Sequence, residues 1–289
     1  MRKRQASTTA IGIAIVRAIE SERPESERIC HDPYARRLVS GALFHLVRFF
    51  ERLGYGERRG PGVMGFLAAR ERHIDEHLKA CLADGLQQLV ILGAGYDARA
   101  YRFEALRAQR VKVFEVDHPA TQQAKLKKLK QVFGRIPEHV TYVPIDFNTQ
   151  TLARRLAESG YDEGLKTLFI WQGVTQYLTP EAVDDTLAFV ARHSGPGSSI
   201  IFDYMVPTLL DGTVRRGEVS KMRSDRWMTG EALTFGIPEG TVKAFLEQRG
   251  YTNVLDADAA WLHDAYFTGA SRNRTVAHGY AIASATVKR

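Results

Sequence analysis

Apolar residues recur along this chain at two spacings, and the change comes near residue 86. Before it the period is helical. Phe66, Ile74, Leu78 and Leu82 fall on one stripe and predict a helix over residues 66–83. A second helix is predicted from Ser7 or Thr8, either of which supplies a capping hydroxyl, to about residue 21. Residues 23–27 form a polar loop. Asp32 followed by Pro33 marks another helix start, with an acceptor at the cap and proline in the first turn. Residues 54–62, rich in Gly and Arg, read as a mobile loop.

From residue 86, short apolar runs alternate with helical segments. Strands are predicted at 89–92, 112–116, 140–143, 168–171 and 198–203, with helices at 98–108, 120–133, 151–158 and 180–192. Such alternation predicts a parallel sheet covered on both faces. Residues 205–236 break the rhythm. They are rich in Arg, Gly and Met and carry Trp227, so they read as a lid or substrate-binding insertion. A helix over 239–248, stopped by Gly250, and strands at 251–255 and 278–287 close the chain. The expected fold is α/β, a doubly wound and mostly parallel seven-stranded sheet. Residues 1–85 form an N-terminal helical extension and residues 86–289 the core.

Composition narrows the class without changing the fold. The chain has 289 residues, 44% hydrophobic and 25% charged, as an ordinary globular protein has. The net charge of +7 sits in local clusters such as Arg2-Lys3-Arg4, Arg58-Arg59 and Lys125 to Lys130, interleaved with acids, and reads as solvated faces. No basic stripe interleaved with aromatics speaks for nucleic acid. Two cysteines, Cys30 and Cys81, make neither a disulfide framework nor a metal spacing, which points to a reducing, cytoplasmic setting. The apolar run 11–16 is ended by Arg17 and Glu20, too short for a signal peptide; no stretch approaches the ~20 apolar residues of a membrane span.

Candidate chemistry gathers at the carboxyl ends of the predicted strands, where open α/β sheets bind ligands. After the first strand comes Gly93-Ala-Gly95-Tyr-Asp-Ala98. Glycines there let the backbone approach a ligand, and the next helix points N–H groups at it. Asp117 ends the second strand, placed to accept from ribose hydroxyls. Asp146-Phe147 follows the third, pairing an acceptor with an apolar face that suits adenine. Gln172 leaves the fourth strand before a turn carrying Tyr177. The glycine pattern alone fits a nicotinamide, flavin or S-adenosylmethionine site equally well.

The ordered set of motifs resembles the leucine carboxyl methyltransferase-like family of S-adenosylmethionine-dependent methyltransferases, in its bacterial branch. The matching pieces are His31-Asp-Pro-Tyr-Ala, Ala68-Ala-Arg70-Glu-Arg-His-Ile-Asp75 and Leu92-Gly-Ala-Gly-Tyr-Asp-Ala-Arg-Ala-Tyr-Arg-Phe103. Phe114-Glu-Val-Asp-His-Pro119, Asp146-Phe147 and Gln172-Gly-Val-Thr-Gln-Tyr-Leu complete them. The resemblance implies a Rossmann-like methyltransferase fold and a role for each position. Arg70 holds the methionyl carboxylate, Gly93 and Gly95 back the methionyl portion, Asp117 takes the ribose, and Asp146 and Phe147 contact adenine. Gln172 stands where the family usually has Glu, near the methionyl amino group; the exchange weakens one charge-assisted contact by roughly 1–2 kcal/mol.

The family transfers methyl groups to oxygen, commonly of a carboxylate, so the expected partner is a small-molecule carboxylic acid. A carboxylic acid of pKa about 4 is already ionised at neutral pH and needs no base. Tyr177, Tyr204 and Trp227 are candidates to line its pocket. Arg215, Arg216, Arg223, Arg226, Arg272 and Arg274 are candidates to hold its charge. A phenol or alcohol acceptor would need a base, for which His118 and His263 are the candidates. A nicotinamide-dependent oxidoreductase and a non-catalytic binding protein are the rival readings.

Overall fold

The computed structural model describes residues 8–147, 149–207 and 233–288. Seven strands form one sheet: β1 (Gln88–Leu92), β2 (Lys112–Asp117), β3 (Val140–Pro144), β4 (Thr167–Trp171), β5 (Ser199–Met205), β6 (Tyr251–Ala257) and β7 (Tyr280–Val287). Their order is β3-β2-β1-β4-β5-β7-β6. The first five strands pair in parallel, and β7 runs antiparallel between β5 and β6. The order reverses between β1 and β4, so their carboxyl ends open a crevice.

The helices are α1 (Thr8–Ser21), α2 (Ala35–Leu38), α3 (Gly41–Arg52), α4 (Tyr55–Arg59), α5 (Val63–Ala83), α6 (Arg99–Arg102), α7 (Glu104–Ala108) and α8 (Pro119–Phe133). After them come α9 (Leu152–Glu158), α10 (Pro180–Arg192), α11 (Val242–Glu247) and α12 (Ala259–Tyr266). Successive strand residues point to opposite faces, so β1 splits its apolar run between two cores. Leu89 and Ile91 pack with Ile74, Leu78 and Leu82 of α5 and Leu262 of α12. Val90 and Leu92 pack with Leu152 of α9, Leu187 of α10 and Leu246 of α11. A third cluster joins α1, α2 and α8 to Tyr96 and Ala98 just after β1. The helical residues before β1 therefore share one packed interior with the sheet.

Several local expectations are revised. The Gly- and Arg-rich stretch contains α4, bracketed by Gly54 and Gly62, both at left-handed φ. Asp32 does not open a helix directly. Its Oδ1 accepts from the N–H groups of Tyr34 and Ala35, and its Oδ2 pairs with buried Arg17. The segment 98–108 breaks at Phe103 into α6 and α7. Residues 258–266, with no assigned element in the sequence reading, form α12, capped by Asp258 Oδ1 accepting from Trp261 N–H at 2.8 Å. Lys125 is not part of a solvated face: it is buried, with Nζ 2.7 Å from Glu115 Oε2. Tyr101 donates to the same carboxylate at 2.8 Å. Among the described residues no helix is long and apolar enough to cross a membrane.

The contact of α5 with α12 carries a titratable group. His73 is buried, shares a 2.8 Å hydrogen bond with Tyr266 Oη through Nδ1, and meets the Trp261 ring edge-on. Burial, aided by nearby His77, pushes its pKa down to about 4. The folded value lies below the ordinary 6.5, so this contribution is complete above pH 6.5 and is lost as pH falls towards 4. Between pH 7 and 5 the unfolding free energy should fall by about 1–2 kcal/mol more in the parent protein than in His73→Gln. Urea unfolding at the two pH values measures the difference.

Candidate functional site

A cavity of about 690 Å³ opens at the carboxyl ends of β1 and β4. Its floor is the turn after β1. Gly93 has φ of +65°, and a Cβ there would lie 2.4 Å from Val174 Cγ2 of the turn after β4. A side chain at this position would thus wedge apart the two turns that frame the crevice. Gly95 is also left-handed, and a Cβ on it would meet Ala10 of α1 at 3.1 Å. Helix α1 therefore lies directly over the glycine turn, contributing Thr9, Ala10, Ile13 and Arg17 to the cavity wall.

Asp117 lines the cavity beside this turn. Its two oxygens accept from the N–H groups of Gly95 and His118. Burial pushes its carboxyl up from the ordinary value, and those two donors pull it back in part. Phe147 stands on the rim with 62% of its surface exposed, a large apolar face turned to the cleft. Asp146 is not among the lining residues. The chain turns sharply behind it, with the N–H groups of Thr149 and Gln150 both donating to its carbonyl, and it stays half-buried.

Arg70 reaches the cleft from α5 and is almost fully buried. Its Nη1 donates to Asp203 Oδ2 at the end of β5, while its Nε has no hydrogen-bond partner. Asp203 Oδ1 accepts from Gly173 N–H, so one carboxylate orients both the guanidinium and the turn after β4. Gln172 lines the cleft, and both ends of its amide are held by the protein: Nε2 donates to Glu71 Oε1, and Oε1 accepts from Arg99 Nη1 at 2.8 Å.

Arg99 is the centre of a buried charge cluster. It pairs with Glu71 at 2.6 Å, with Asp75 at 2.8 Å and with Asp97. Arg17 of α1 adds contacts to Asp32 and Glu71 and donates to the Tyr96 carbonyl, and Arg102 adds one to Asp75. Burial opposes the charge on Asp97, yet Arg99 and Arg17 hold its carboxyl down to about 2. Glu71 is likewise held below its ordinary value by Arg99 and Arg17 against its burial. Arg17, Glu71, Asp97, Arg99 and Asp203 stand at or beside the cleft without having been expected there from the sequence. The available signal was a charged residue inside an otherwise apolar stretch, as at Arg17 between Ile15 and Ile19.

Tyr177 lines the cleft. Tyr204 does not, which corrects its place as a pocket residue. It lies in the core below, its hydroxyl donating to Asp256 at 2.8 Å. His118 lines the cleft, but Nδ1 accepts from Ala120 N–H and caps α8. His263 stacks on Phe267 away from the cavity, with Nε2 3.1 Å from the Arg272 carbonyl. Arg274 is committed to Glu20 by two 2.8 Å contacts. The sequence candidates Arg215, Arg216, Arg223, Arg226 and Trp227 lie outside the described residues, as does most of the proposed insertion.

The glycine turn, the acid ending β2 and the buried Arg70 occur together in one cleft, and the chain matches the leucine carboxyl methyltransferase family profile over residues 10–191. The chain belongs to the leucine carboxyl methyltransferase family. A relative from Bacillus subtilis, "Putative S-adenosyl-L-methionine-dependent methyltransferase YktD", is 30% identical over 94% of this chain and 95% of its own length. SCO7813 of Streptomyces coelicolor, named in the same terms, is 30% identical over 77% of this chain and 81% of its own. A solved DUF574-family structure from Streptomyces avermitilis covers 98% of both chains with a TM-score of 0.58 at 13% identity, a likeness of fold.

Asp203 is the group on which this family member's Arg70 depends. Asp203→Ala leaves a buried guanidinium without its counter-charge and should cost about 3–5 kcal/mol of stability. Denaturant unfolding reads the loss.

Proposed function

We propose that this protein binds S-adenosyl-L-methionine in the cleft and transfers its methyl group to a carboxylate oxygen of a small molecule. Family membership and the residues of the cleft support the cofactor. The cavity has a cationic end at Arg70, where a buried Nε lacks a partner, then the Asp117 carboxylate, then the exposed ring of Phe147. That succession fits an amino-acid carboxylate, a ribose and an adenine. When bound, S-adenosyl-L-methionine supplies an electrophilic methyl on a sulfonium sulfur. The protein's residues supply binding and alignment. Arg70, oriented by Asp203, takes the amino-acid carboxylate. Asp117 accepts from the ribose hydroxyls, and Phe147 covers the adenine. Ile13, Trp171, Val174 and Leu178 provide apolar wall that excludes water where an anionic oxygen must attack.

The observation that carries the acceptor class is how the histidines of the described cleft are used. His118 is spent on capping α8, and His193 follows the last turn of α10 just before β5 begins, at the opposite end of that strand from the carboxyl ends where the glycine turn lies. An acceptor that arrives ionised matches such a cleft, and a carboxylate does so at neutral pH. Methyl transfer from labelled cofactor to a panel of small carboxylic acids, phenols and alcohols, with the products resolved by mass, tests the reading. Methyl esters are the expected products; methyl ethers alone would sink the carboxylate assignment.

Two further outcomes follow. Asp117→Ala should weaken S-adenosyl-L-methionine binding ten- to a hundredfold by calorimetry, since a charged acceptor of two hydroxyl hydrogen bonds is lost. His118→Ala and His263→Ala should each leave kcat within about tenfold, whereas a loss of several orders of magnitude with folding intact would point to a base.

A further inference from the structure

The amide of Gln172 is held in one orientation by opposite demands. Glu71 requires a donor from it, and Arg99 requires an acceptor. Only a neutral group with one of each meets both. Around it, Arg17, Arg99 and Arg102 face Asp32, Glu71, Asp75 and Asp97 in one connected set of ion pairs. Three guanidiniums against four carboxylates leave one negative charge in excess, inside the protein and next to the cleft. Of these seven residues, Arg17 and Asp97 line the cavity themselves, while Glu71 lies behind Gln172.

Resting on the S-adenosyl-L-methionine reading, we infer that Glu71 supplies the negative charge that faces the cofactor's amino group, and that Gln172 relays it. Glu71 fixes the amide so that the carbonyl oxygen of Gln172, with a lone pair beyond the one given to Arg99, serves as the acceptor in the cleft. Glu71 is thus a positioning residue, and residue 172 is required to be neutral. A carboxylate at 172 would stand within hydrogen-bond distance of the Glu71 carboxylate. Two such groups cannot both remain ionised in place, so one takes up a proton or they move apart. The usual expectation, that an added carboxylate tightens the grip on an ammonium, is reversed here.

The test measures two ligands by calorimetry against Gln172→Glu, Glu71→Gln and the double variant that exchanges the two groups. S-adenosylhomocysteine carries the amino-acid end; 5′-methylthioadenosine lacks it and reports on the adenosine part of the cleft. Gln172→Glu and Glu71→Gln should each weaken S-adenosylhomocysteine at least tenfold while 5′-methylthioadenosine stays within twofold. The double variant, with the parent's charge count, should recover S-adenosylhomocysteine affinity to within threefold of the parent. Should Glu71→Gln fail to fold, Gln172→Glu and the double variant still decide. Parent-like affinity in Gln172→Glu, equal losses for both ligands, or a double variant no better than Gln172→Glu each overturns the inference. A parent protein that binds neither ligand refutes the cofactor reading instead.

Discussion

The site depends on one buried guanidinium. Arg99 has no exposed surface, and its donors reach Asp75 and Glu71 on α5, Asp97 in the turn after β1 and Gln172 after β4. Arg99 thus ties together three segments that are separate in sequence, beside the cleft that Asp97 and Gln172 line. A buried charge tolerates no loose partner, because losing one leaves an uncompensated ion at a cost of several kcal/mol. The cluster therefore acts as a rigid joint. It sets the spacing between the glycine turn and the turn after β4, and Gly93 allows that spacing by having no side chain to strike Val174.

The same joint explains why the N-terminal helices belong with the sheet. Arg17 links α1 to Glu71, to Asp32 and to the Tyr96 carbonyl, bringing Ala10 down onto Gly95. Helix α5 packs its apolar stripe on β1 and β4 and sends Arg70 and Glu71 towards the crevice. One helix thus contributes both to the core and to the charge pattern of the site. The anionic excess near Gln172 and the cation at Arg70 give this part of the cleft two poles of opposite charge.

Legibility from sequence followed the range of the interactions. The strand-helix alternation, the glycine turn and Asp117 at the end of β2 are local patterns with a fixed physical meaning; the strands stand within two residues of their expected places, while the helices expected at 98–108 and 239–248 appear as α6 with α7 and as the shorter α11. The family motifs added Arg70, whose surroundings in sequence resemble any charged helix. Tyr204 and Asp146 show the limit. Both sit at or just past strand ends, as ligand-binding residues do, but Tyr204 faces Asp256 in the core and a tight turn holds Asp146 off the cavity lining.

By itself the sequence determined the α/β class, the number of strands, the cofactor-type turn and the family, because these rest on periodicity, backbone freedom and ordered motifs. Only the tertiary structure decided the insertion of β7 between β5 and β6, the burial of Lys125 and the partners of every charge around Gln172. The reason is physical. Periodicity says which side of an element is apolar, but not what it will meet. A hydrogen bond across 73 residues, such as that from Arg99 to the Gln172 amide oxygen, has no local signature at either end. Gln172 read as a weakened contact in the sequence. With Glu71 against it, it is the neutral residue its surroundings demand.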